Sequence, residues 1–145
     1  MNKDGEIVII EDDPDDCDLL KDVFATLGIA NKIVFFPNGA EVLDYLQKPE
    51  VFPFLILSDI NLPVLNGFDI RNRVFENEEI SKKCIPYIFF TTAADEKSVV
   101  TAYSLSAQGY FRKPHGYSEA LATINSIIEY WSKCYSPNTF KRIKF

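Results

Sequence analysis

Residues 54–67 read FLILSDINLPVLNG, and the order of their parts decides the fold. Phe54-Leu55-Ile56-Leu57 is an apolar run without polar alternation, followed at once by Ser58-Asp59 and then by a loop punctuated by Pro63 and Gly67. A short continuous apolar run bounded by turn residues reads as a strand buried on both faces, the kind found in parallel sheets covered by helices. Two more stretches share this design: Ile7-Val8-Ile9-Ile10 runs into Glu11-Asp12-Asp13, and Ile85 to Phe90 runs into Thr91-Thr92.

Helical signals fill the intervals. Asp13 reads as an N-cap, Pro14 as the first helical residue, and Asp15 and Asp16 lie in the turn where the helix dipole favours anions. These acids are accounted for by capping. Cys17, Leu20, Phe24 and Leu27 give the helix an apolar stripe, and Gly28 offers a stop. A second strand over Lys32–Phe36 leads to a helix capped by Asn38 and carrying Val42, Leu43 and Leu46. Further helices start near Phe68 and span about 95–106 and 118–134, the last with Leu121, Ile124, Ile128 and Trp131 at helical spacing; a short fifth strand covers Tyr110–Arg112. Five strand-then-helix repeats predict an α/β fold with a five-stranded parallel sheet and five helices, joined by right-handed crossovers.

The 145 residues make one domain's worth of chain, with a core over about 6–134 and a short tail at 135–145, basic at Lys141, Arg142 and Lys144. A net charge of −6 argues against general nucleic-acid binding and suits hard cations. Cys17, Cys84 and Cys134 are odd in number and lack CxxC spacing, so neither a disulfide framework nor a zinc site is expected. Nothing at the N-terminus resembles a signal peptide, and no apolar run is long enough to cross a bilayer; the expectation is a soluble cytoplasmic protein without membrane contact.

Ligands of open parallel sheets bind beyond the carboxyl ends of the strands. There the first strand delivers Glu11 and Asp12, the third Asp59, the fourth Thr91 and the fifth Lys113-Pro114. Carboxylates held this close repel one another, and Mg²⁺, a hard cation with oxygen ligands, would relieve the conflict. With a metal and Lys113 shielding an incoming phosphate, Asp59 can act as a carboxylate nucleophile, and Thr91 can donate to the new phosphoryl oxygens. His115 is read as exposed and incidental.

IVIIEDDPDD, LILSDINLPVLNGF, IPYIFFTTAAD and GYFRKP, in this order, resemble the receiver domain of two-component response regulators over about residues 6–134. The resemblance implies a flavodoxin-like three-layer fold with strand order 2-1-3-4-5. It makes Glu11 and Asp12 the acid pair for Mg²⁺ or Mn²⁺, Asp59 the phosphoacceptor, and Asn61 a metal ligand through its backbone carbonyl. Thr91 becomes the switch hydroxyl, Tyr110 the aromatic that follows it, and Lys113 the phosphate-pairing lysine, joined to Pro114 by a cis peptide. The implied donor is a sensor histidine kinase or histidine phosphotransfer protein. The implied output is a protein partner on the face of the fourth helix, fifth strand and last helix, where Tyr103, Tyr110 and Tyr117 are expected to be exposed. A monomer or weak dimer is expected. The chain departs from the family in Thr92, where a small residue usually follows the switch hydroxyl, and Asn61 and Ala93 occupy positions that tune dephosphorylation. No DNA-binding or enzymatic domain is expected, and the resemblance is to stand-alone receivers, such as those paired with phytochrome-type sensor kinases.

Two other functions compete. A metal-dependent phosphohydrolase with an aspartyl nucleophile, acting on small phosphate esters, would want a second carboxylate where Asn61 stands. A flavodoxin-like cofactor module would want a loop rich in Gly, Ser or Thr after the first strand, where acids stand instead.

Overall fold

The computed structural model describes residues 3–135; the basic tail falls outside them. Strands β1 (Ile7–Ile10), β2 (Ile33–Phe36), β3 (Leu55–Ser58), β4 (Tyr87–Thr91) and β5 (Gly109–Arg112) form one parallel sheet in the order β2-β1-β3-β4-β5. Every residue of β1, β3 and β4 is buried, as continuous apolar runs require, whereas edge strands β2 and β5 are largely half-buried.

Alternate strand residues face opposite layers. Ile7, Ile9, Leu55, Leu57, Ile88 and Phe90 pack against helices α1 (Pro14–Leu27) and α6 (Tyr117–Lys133) through Leu20, Val23, Phe24, Ile124 and Ile127. Val8, Ile10, Ile56, Tyr87 and Phe89 face the other way, onto α2 (Gly39–Leu46), α3 (Gly67–Glu76) and α5 (Glu96–Ser104) through Val42, Leu46, Ile70, Val74 and Ala102. Fully burying each such aliphatic side chain contributes about 1.5–3 kcal/mol, so the sheet is held from both sides.

The expected caps are in place. Asp13 accepts from the Asp15 and Asp16 N–H groups ahead of Pro14, Gly28 closes α1 in the left-handed conformation (φ 63°), and Asn38 caps α2. A sixth helix, α4 (Glu78–Ser81), was not expected. It is a single turn capped by Asn77 and anchored by buried Ile80, too short to show helical periodicity. Among the described residues no peptide bond is cis, so the Lys113–Pro114 bond is trans, which corrects the cis expectation. Trans is the favoured isomer before proline by about 0.5–1 kcal/mol, and in it the Lys113 N–H extends the β4–β5 ladder to the Thr91 carbonyl at 2.7 Å.

Two buried cations tie the loops down. Lys83 Nζ donates to the carbonyls of Leu46, Lys48 and Val51 at 2.6–2.7 Å, fixing the chain that leaves α2. Arg71 on α3 donates to Leu105 and Ser106 at 2.9 Å, holding the C-terminal end of α5 where the helix dipole favours positive charge.

The loop after β3 is tight. The Gly67 N–H donates to the Ile60 carbonyl at 2.8 Å, and a Cβ on Gly67 would lie 2.1 Å from the Asp59 carbonyl oxygen and 2.9 Å from Ile60 Cα. Both neighbours are backbone, so the strand end itself must move to admit a side chain. Gly67→Ala is expected to destabilise the protein by about 2 kcal/mol, read as a lower denaturation midpoint at unchanged slope.

Candidate functional site

Parallel pairing brings the strand tips to one height. In the sheet Ile10 lies beside Phe36 and Ser58, and Thr91 beside Arg112, so the next residues, Glu11, Asp59 and Lys113, leave the same edge. Backbone bonds continue the ladder past the strands: Glu11 N–H donates to the Phe36 carbonyl and Asp59 N–H to the Ile10 carbonyl, both at 3.0 Å.

Side-chain bonds then orient the carboxylates. Asp59 Oδ1 accepts from the Ile60 N–H at 2.7 Å, which aims Oδ2 at Lys113 Nζ, 3.1 Å away. Glu11 Oε2 accepts from the Asp13 N–H at 3.3 Å, and Oε1 lies 2.5 Å from Lys113 Nζ. Lys113 also meets Asp16 Oδ2 at 2.8 Å. Glu11, Asp59 and Lys113 are nearly inaccessible, with 3%, 8% and 9% of their surface exposed.

Glu11, Asp12 and Asp59 bring one carboxylate oxygen each to within 4.8 Å of one another. Oxygens on opposite sides of an Mg²⁺ octahedron stand roughly 4 Å apart, a span close to that of this set. Three carboxylates, of Glu11, Asp16 and Asp59, meet the one ammonium, and Asp12 adds a fourth acid to the cluster. The excess of negative charge and the all-oxygen donor set fit a hard divalent cation.

Protonation follows the same geometry. Burial pushes the Glu11 carboxyl up to about 7, although Lys113 pulls it down. For Lys113, burial pulls the ammonium down, but its bonds to Asp16 and Glu11 and the charge of Asp59 outweigh this and leave it above the ordinary lysine value. It therefore stays charged.

Thr91, fully buried, and Tyr110, half-buried, meet at one residue. The Ala93 N–H donates to Thr91 Oγ1 at 3.4 Å, and the Tyr110 hydroxyl donates to the Ala93 carbonyl at 2.6 Å. Asn61 follows Asp59 in an exposed stretch of the loop, and Thr92 is exposed. Tyr103 and Tyr117 are exposed as expected; Tyr110 is not, because its ring packs near Phe89 and its hydroxyl is engaged by Ala93. His115 is exposed.

Sequence reasoning passed over Asp16. Its signal was present: Asp16 stands one turn before buried Leu20 on the inward stripe of α1, so its carboxylate faces the site. Capping of α1 is carried by Asp13.

Residues 7–125 match the model of the response regulator receiver domain, and the chain belongs to that family. Among relatives, response regulator Rcp1 of Synechocystis sp. is 25% identical over 130 residues, 86% of this chain and 87% of its own. Others are longer: the chain spans 39% of a probable transcriptional regulator, ycf29, of Pyropia yezoensis, at 36% identity over 92 residues. Among solved structures, the phosphorylated cyanobacterial phytochrome response regulator RcpA superposes with a TM-score of 0.79 at 25% identity, covering 91% of this chain and 96% of its own. The Mn²⁺-bound form of Rcp1 gives a TM-score of 0.77 at 25% identity, covering 91% and 97%. The fold is thus the flavodoxin-like one expected, with six helices in place of five. Among the described residues no helix is long and apolar enough to cross a membrane.

A raised Glu11 couples cation binding to pH. Below about 7 the carboxyl holds a proton that a cation must displace, so apparent Mg²⁺ affinity should fall with decreasing pH, by up to about tenfold per unit, and level off above neutrality. Calorimetric titration at several pH values checks this, and Glu11→Gln should bind more weakly with a flatter pH profile.

Proposed function

We propose that the chain is a receiver that accepts a phosphoryl group on Asp59 from a phosphohistidine, on a sensor histidine kinase or a histidine phosphotransfer protein, with Mg²⁺ or Mn²⁺ as helper. The observation that carries this reading is the convergence of Asp59, Glu11, Asp12 and Lys113 on one sheet edge, with Asp59 Oδ1 tied to a backbone N–H and Oδ2 facing the ammonium. A metal bound by Glu11, Asp12, Asp59 and the Asn61 carbonyl would supply positive charge for the anionic oxygens of the donor. Lys113 pairs with a phosphoryl oxygen on the other side, and Asp59 supplies the attacking carboxylate oxygen. The bond from phosphorus to the donor's imidazole nitrogen breaks as the acyl phosphate forms.

Thr91 and Tyr110 then serve as the switch. Each holds one half of the Ala93 backbone, so a Thr91 hydroxyl that turns to the phosphoryl group releases the Ala93 N–H and frees the segment that Tyr110 also grips. Only a few kcal/mol of bias between two such packings shifts their populations usefully. The affected face, α5, β5 and α6, offers Tyr103 and Tyr130 at its surface and is the proposed contact for a downstream protein. The hydrolase alternative is not favoured: no acid occupies position 61.

Incubation with Mg²⁺ and acetyl phosphate should give a single base-labile phosphoryl adduct by intact mass. Asp59→Asn should remove it entirely, and chelation of the metal should suppress it. No adduct, or sustained turnover of an aryl phosphate, would count against the receiver reading. Thr91→Ala should still take the group, yet NMR signals of Ala93 and Tyr110 should stay at their unphosphorylated positions.

A further inference from the structure

Lys113 has three N–H donors, and three carboxylates from three elements face them: Glu11 Oε1 at 2.5 Å, Asp16 Oδ2 at 2.8 Å and Asp59 Oδ2 at 3.1 Å. With all three matched, an arriving phosphoryl oxygen finds no free donor until one carboxylate lets go. Asp59 is the group to be phosphorylated, and Glu11 belongs to the acid set suited to the cation, which leaves Asp16 as the standing competitor. It is also the easiest to release. Its side chain is 33% exposed, against 3% for Glu11 and 9% for Asp59, so water can replace the ammonium at small cost.

Among the described residues, the Asp16 carboxylate is hydrogen-bonded to Lys113 alone. Asp13 caps α1, and Asp16 contributes its backbone N–H to that cap while its side chain turns inward. We infer that Asp16 is a positioning residue that holds the Lys113 ammonium at the rim of the acceptor pocket and competes with the phosphoryl group for it, limiting both the rate of phosphorylation and the lifetime of the product. This rests on the receiver reading above. The competition has two parts. Asp16 occupies a donor that the phosphoryl oxygen needs, and its charge repels an anion that must approach the same ammonium.

Asp16→Asn keeps the shape and a carbonyl acceptor but removes the charge; Asp16→Glu keeps the charge. The rate of adduct formation with acetyl phosphate and Mg²⁺, and the adduct's half-life after donor removal, should each rise about fivefold in Asp16→Asn. The gap should narrow as salt is raised, because the site lies at the rim. Asp16→Glu should stay near wild type in both, which a merely structural role for the position would not explain. Denaturation midpoints of both variants establish that they fold. Asp16→Asn values within twofold of wild type, or slower labelling, would overturn the inference and leave the receiver reading standing, provided wild type is labelled and Asp59→Asn is not. A wild-type chain that takes no group on Asp59 overturns both.

Discussion

Lys113 reaches from the end of β5 to carboxylates of β1, β3 and α1, and it can do so only if these segments end at one height. The ammonium is nearly inaccessible, and a buried charge is tolerable only when paired and hydrogen-bonded. Register, strand order and the placement of α1 all serve that condition. A slip of one residue in β5 would turn Lys113 to the opposite face and strand both the ammonium and the acids. The attraction holds the edge together, although carboxylates outnumber the ammonium there.

The same economy of charge appears elsewhere. Arg71 and Lys83 are buried, and both donate to backbone carbonyls, Arg71 to Leu105 and Ser106 just past α5 and Lys83 to Leu46, Lys48 and Val51 at and beyond the end of α2. Gly67 sets the remaining boundary, because the turn that follows Asp59 leaves no room for a side chain. Val64, in the same loop, is fully exposed with φ 65°, an uncommon conformation for a β-branched residue, and lies five positions beyond Asp59.

Much of this was written in the local sequence. Unbroken apolar runs marked β1, β3 and β4, and Asp13-Pro14, Gly28 and Asn38 marked helix ends, because each signal acts within a few residues of the structure it directs. The convergence of Glu11, Asp12, Asp59 and Lys113 was legible because a parallel sheet delivers its strand ends to one edge. What escaped depends on distant partners. Asp16 reads as a helix-start acid until Lys113, 97 residues later, is brought beside it. Nothing local to Arg71 or Lys83 points to the carbonyls they meet, which other elements place. Helix α4 is one turn long, and the cis expectation for Lys113–Pro114 came from the resemblance, whereas the dipeptide by itself favours trans.

Lys83 carries a consequence of its own. Its ammonium sits in a cage of three carbonyl oxygens, the kind of environment that elsewhere holds a monovalent ion, but here the ion is tethered to the chain. The pole of the sheet opposite the acids is therefore braced by a permanent internal counter-ion. Bracing at this pole draws on no ion from solution.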